Sequence, residues 1–182
     1  MLKRLRAEKI FWQMLGKWTG GSTDVERLEF LRGLPFFKDL SFWQLRRISE
    51  VMFERTYDRG ESVFTQGQPG AALFVLVEGA VEIDLFEEHT HTVLARLEKG
   101  HFFGELALLD DTPRSASATA LKPTKALALY RTDLNRMVQV DPHAAALIFR
   151  SLSTLVSDRL KKTNELIRNS DTEVHPDMKA AS

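Results

Sequence analysis

Hydrophobic and polar positions along this chain change their period twice. Over residues 34–52, LPFFKDLSFWQLRRISEVM, apolar side chains recur at helical spacing through Phe42, Leu45, Ile48 and Met52, which predicts helices. From Phe53 the runs shorten. Residues 53–58, 61–65, 72–77, 81–86 and 91–97 read as short strands separated by RG, GQPG, EG and EEHT turns. Gly60, Gly67, Gly70 and Gly79 stand at those corners, and Gly100 follows the last run. Many short strands with glycine between them predict a β-sandwich or jelly roll rather than a parallel sheet. After one more strand-like run at 126–130 the helical period returns. Asp141 and Pro142 split this stretch into two helices, and in the second Ile148, Leu152, Leu155, Val156 and Leu160 form one apolar stripe suited to packing on the sandwich.

Residues 103–120, FGELALLDDTPRSASATA, carry more than a sandwich requires. Gly104 can take positive φ and lets a ligand approach the main chain closely. Glu105, Leu106, Ala107, Leu108 and Leu109 are helix formers whose first N–H groups, lacking intrahelical partners, suit an anion. Asp110, Asp111, Thr112 and Pro113 end that helix after little more than one turn. Arg114 follows, and its planar fork can grip two oxygens of one phosphate. Glu105 is an acceptor only; beside a phosphate its better partner is a neutral donor such as a ribose hydroxyl. From Ser115 the run SASATA, with Ser117 at its centre, alternates small and polar, which suits a strand against which a flat ligand can lie. Taken singly, each residue also suits a surface turn, with Glu105 and Arg114 as an exposed ion pair. The ordered combination is what points to a ligand.

That combination closely resembles the phosphate-binding cassette of the cyclic nucleotide-binding domain family, shared by bacterial catabolite activator proteins, protein kinase A regulatory subunits and cyclic-nucleotide-gated channels. The resemblance runs from about Leu34 to Ile167. It implies a mainly β fold with flanking helices: a jelly-roll (double-stranded β-helix) sandwich with N-terminal helices and a long C-terminal lid helix. It implies that Arg114 binds the cyclic phosphate, that Glu105 binds the ribose 2′-hydroxyl, and that Gly104, Leu106 and Ala107 lend backbone groups. Ser115 stands where a hydroxyl can reach the phosphate or a syn purine, and Phe103 and Ser117 flank the set. No cofactor is implied; the ligand is cAMP or cGMP, both left open. In the family the long helix swings over the purine as a lid and in many members pairs with its symmetry mate, so a homodimer through this helix is implied; Leu152, Leu155 and Val156 are the lid candidates. Ala71 departs from the family, which often has an acid after the second glycine of the GQPG turn.

Composition limits the rest. With 182 residues and 43% hydrophobic content the chain suits one domain plus an appendage, here 1–23, 24–167 and a polar tail at 168–182 expected to be disordered. Lys plus Arg equals Asp plus Glu, 25 each, so no global field recruits nucleic acid or membrane. The tail is too short for a winged helix, so direct DNA binding is not expected. Zero cysteines exclude disulfides and thiolate metal sites. His89 and His91 could sit on one strand face as in a metal-binding cupin, but the further ligands do not fit and a solvated hairpin rim is the better reading. No nucleophile triad, Walker motif or paired-carboxylate site is evident, so a non-enzymatic switch is expected.

Charge is uneven at one place. Residues 1–18 carry Lys3, Arg4, Arg6, Lys9 and Lys17 against Glu8 alone. Lys9, Gln13 and Lys17 share a narrow polar stripe, with Ile10, Phe11, Met14, Leu15 and Trp18 on the other side. Such a helix can lie on an anionic membrane surface, enter an effector protein's groove, or dock on its own domain. TGGSTD, residues 19–24, reads as a hinge ending in an N-cap at Asp24. No signal peptide is evident, since Lys9 and Lys17 flank the only apolar run. The cytoplasm is the expected compartment, peripheral to the inner face of the membrane if the arm binds lipid. Two functions follow: a stand-alone cyclic nucleotide receptor, or a scaffold or membrane-surface adaptor with a vestigial pocket.

Overall fold

A computed structural model describes residues 22–88 and 90–174. The basic arm at 1–18, residues 19–21 of the expected hinge, His89 and the end of the expected tail lie outside the described residues. Helix α1 spans Ser22–Arg32, so Asp24 sits in its first turn rather than at its cap, where its carboxylate still faces the positive end of the helix dipole. The helical region that follows divides in two. Pro35–Phe37 forms one 3-10 turn and α2 spans Phe42–Val51. Ser41 makes the break: its hydroxyl accepts from the Gln44 N–H while the Gln44 side chain accepts from the Ser41 N–H, a reciprocal capping box.

Eight strands follow: β1 Phe53–Tyr57, β2 Ser62–Phe64, β3 Ala72–Glu78, β4 Ala80–Glu87, β5 Thr90–Glu98, β6 Phe102–Phe103, β7 Ser117–Ala120 and β8 Thr124–Tyr130. They form two four-stranded antiparallel sheets ordered β1-β8-β3-β6 and β2-β7-β4-β5, the expected jelly-roll sandwich with flanking helices. The strand β6 had no sequence signal of its own, being two residues long and held only by its pairing to Phe74 and Val75.

Alternation on β3 and β8 divides the core in two. Leu73, Val75, Leu127 and Leu129 face the helices, joining Leu31, Phe37, Leu45, Ile48, Leu134, Ile148 and Leu152. Ala72, Phe74, Leu76, Ala126 and Ala128 face the other sheet, joining Val81, Phe103 and Ala118. The middle of the first sheet, β3 and β8, is thus buried on both faces, which is why 72–76 is an unbroken apolar run. The buried layer between the sheets holds four alanines and two phenylalanines beside Leu76 and Val81.

Helix α3 spans Arg131–Val140 and α4 spans Pro142–Val174. Asp141 separates them: its backbone leaves the helical region, and its carboxylate accepts from the Ala144 N–H and pairs with Arg47 at 3.0 Å. The helix α4 runs on past Arg168, because 168–174 contains no glycine or proline. No helix among the described residues is long and apolar enough to cross a membrane.

Candidate functional site

The site is built where β6 ends and the chain must turn between the sheets. Phe103 is fully buried, and Gly104 takes φ 70°, ψ 21°, the left-handed conformation that a side chain resists. Space makes the same demand. A Cβ at Gly104 would lie 2.6 Å from the Arg114 Nη1 and 3.2 Å from the Ala72 carbonyl oxygen. Glu105–Leu108 then form a single 3-10 turn rather than an α-helix, with Glu105, Ala107 and Leu108 inward and Leu106 outward. Gly70, on the facing turn, has an ordinary φ but packs tightly: a Cβ there would sit 2.8 Å from the Ala107 Cβ.

Arg114 enters this cradle from the following loop. Its backbone is clamped to the GQPG turn, the Arg114 N–H donating to the Gln68 oxygen and the Gly67 N–H to the Arg114 oxygen, both at 2.8 Å. Its fork donates from Nη1 to the Gly104 oxygen at 3.0 Å and from Nη2 to the Ala72 oxygen at 2.9 Å, while Nε is buried without a partner. Burial pulls its pKa below the ordinary arginine value, partly offset by the nearby Glu105 carboxylate. The group stays cationic.

Glu105 does not form an exposed ion pair with Arg114. At 4% exposure it is the one buried charged residue among those described, and its Oε1 instead accepts from the Arg159 Nη1 of α4 at 2.7 Å. Arg159 also donates to the Phe102 oxygen. The second carboxylate oxygen, Oε2, is buried and unpartnered. Arg159 had one trace in the sequence: it falls seven residues after Leu152, a cation on an otherwise apolar stripe. A buried acceptor and a buried donor, each missing a partner, therefore stand in one cradle. That is an arrangement suited to a ligand bearing both a hydroxyl and an anion.

The remaining residues lie around this pair. Ser115 is exposed; Ser117 is half-buried, its hydroxyl accepting from the Gln66 N–H at 3.1 Å. Leu152 is fully buried in the helix-facing core, with Leu155 and Val156 half-buried one turn nearer the cassette. Arg131, at the start of α3, pairs with Asp111 and donates to the Asp110 oxygen, so the loop after the 3-10 turn is tied to the helical segment. His91 pairs with Asp84 across the β4–β5 hairpin, and no group of acidic or histidine residues fit for a metal occurs among the described residues.

The comparison with known proteins names this arrangement. A family model described as cyclic nucleotide-binding domain matches residues 54–141, which holds the sandwich, the 3-10 turn, Glu105 and Arg114. The chain belongs to the cyclic nucleotide-binding domain family. It is 33% identical to a cAMP-dependent protein kinase regulatory subunit of Mycosarcoma maydis over 74% of this chain and 25% of that protein. With the cyclic AMP receptor protein of Thermus thermophilus it shares 34% identity over 74% of this chain and 61% of that one. The chain thus spans less than two thirds of these relatives' own length. The solved structure of a cyclic nucleotide-binding domain from Methylobacillus flagellatus superposes with a TM-score of 0.72 at 25% identity, covering 81% of this chain and 84% of that one. The resemblance read from the cassette is therefore upheld, and with it the jelly-roll fold.

Proposed function

We propose that this protein is a non-enzymatic receptor for cAMP or cGMP whose ligand biases the long helix α4. The observation that carries this reading is the pair of unpartnered buried atoms, Glu105 Oε2 and Arg114 Nε, in one cradle. A ribose hydroxyl can donate to the first and a cyclic phosphate can accept around the second, with Gly104, Leu106 and Ala107 lending backbone groups and Phe103, Ser115 and Ser117 beside it. Arg159 supplies the coupling. It holds the same carboxylate that the ribose would engage, so ligand and α4 share one acceptor, and a ligand that changes this contact shifts the population of α4 positions.

Half-buried Leu155 and Val156, one turn before Arg159, would respond as lid residues, whereas Leu152 is held in the core. Beyond Val156 nearly every described residue of α4 is exposed, Leu160 included, and an unsupported helix is marginal in water, which favours pairing with a second copy along this stretch. The basic arm at 1–18 would carry the output to an effector protein or an anionic membrane surface on the cytoplasmic side. Calorimetric titration of the refolded, nucleotide-free protein with cAMP and cGMP tests the reading: micromolar or tighter binding of either is expected, about 8 kcal/mol. No heat from either, with the fold intact, favours the scaffold or adaptor with a vestigial pocket.

A further inference from the structure

Arg114 raises a question of electrostatics. A half-buried guanidinium ordinarily needs an anionic partner, because taking the charge out of water is costly. No carboxylate oxygen lies within ion-pair distance of Arg114 among the described residues. Ala71, next to the cassette-facing Gly70, offers no carboxylate either. Two carbonyl oxygens take two of the five N–H donors, and that leaves the face of the guanidinium to account for.

An aromatic ring covers it. The Arg114 Cζ stands 4.0 Å from the centroid of Phe64 and 5.8 Å from that of Phe74, so Phe64 is the close contact and Phe74 lies at the edge of the useful range. Phe64 is itself fixed, its centroid 5.9 Å from both Phe74 and Phe103, which stack on each other at 5.3 Å. Gly104 admits the stack, since a Cβ there would meet Phe64 Cε1 at 3.3 Å as well as the guanidinium.

We propose that Phe64 is a positioning residue for the anion clamp, its ring carrying the Arg114 guanidinium where a carboxylate would otherwise stand. This rests on the reading of Arg114 as the phosphate-binding residue. The two kinds of support differ in consequence. A carboxylate occupies the in-plane N–H groups and neutralises the charge, competing with the phosphate. A ring touches only the face, leaving the charge whole and the in-plane donors directed at oxygens. The aromatic trio, a core feature in its packing, thus sets the orientation of the clamp.

The test has a ligand-free arm and a binding arm on the full chain. In the first, the Arg114 side-chain resonances, assigned by their loss in Arg114→Lys, are expected to be shifted upfield by the ring current, to stay so in Phe64→Tyr and to return to ordinary positions in Phe64→Leu. In the second, Phe64→Leu is expected to bind the preferred cyclic nucleotide about fivefold more weakly, and Phe64→Tyr within about twofold of the native protein. Unshifted Arg114 resonances in the native protein would overturn the proposal, as would native affinity in Phe64→Leu. Should the native protein bind neither nucleotide, the receptor reading fails while the resonances still decide whether the ring holds Arg114.

Discussion

At the scale of single residues, the proposed function rests on two charged groups that the fold leaves incompletely satisfied. Arg114→Ala removes a charge-assisted clamp of about 2–4 kcal/mol, so cyclic nucleotide affinity is expected to fall roughly 30- to 1000-fold in a calorimetric titration; unchanged affinity would remove Arg114 from the site. Glu105 makes a finer prediction. Its alanine variant is expected to bind the ribonucleotide more weakly while hardly changing affinity for a 2′-deoxy analogue, because only the former offers a hydroxyl to Oε2. Equal losses for both analogues would show that Glu105 acts through the fold, by way of Arg159, rather than on the ribose.

Elements are where the sequence was most and least legible. Gly104, Glu105, Pro113 and Arg114 are close in sequence and act locally, so their order alone pointed to the cassette. Glycine corners and short apolar runs likewise exposed the strands. Phe64 and Arg159 could not be read in the same way, because what makes them matter is a contact made across the fold: Arg159 lies 54 residues from Glu105 in the chain. The 3-10 form of the Glu105–Leu108 turn was equally hidden, since helix formers do not distinguish one helical winding from another. Gly70 shows how closely these elements fit. Gly70→Ala places a methyl group against Ala107 and is expected to cost about 1–3 kcal/mol by overpacking, measured by urea unfolding, and to weaken nucleotide binding in parallel. Native stability in this variant would mean that the turn yields where the packing indicates it cannot.

Across the whole molecule, α4 runs from the helix-facing core to the cassette. Its first turns are anchored by Ile148 and Leu152 among the N-terminal helices, and Arg150 pairs with Asp39 at 2.7 Å. Arg159 then fastens it to Glu105 and Phe102, and the described side chains beyond it, 160–165 and Arg168, are solvent-exposed. Arg159→Gln is expected to loosen the middle of α4 by about 1 kcal/mol, a value kept small because the guanidinium is partly exposed, and to leave the anchored first turns unchanged in hydrogen exchange. Uniform destabilisation of the entire chain would instead make Arg159 an ordinary structural contact. The most direct test of the account is hydrogen exchange of the intact protein with and without saturating cAMP or cGMP. The account predicts changed protection in two separated segments together, the cassette at 103–117 and α4 around 155–163. Identical exchange in both segments, with either nucleotide, would contradict it.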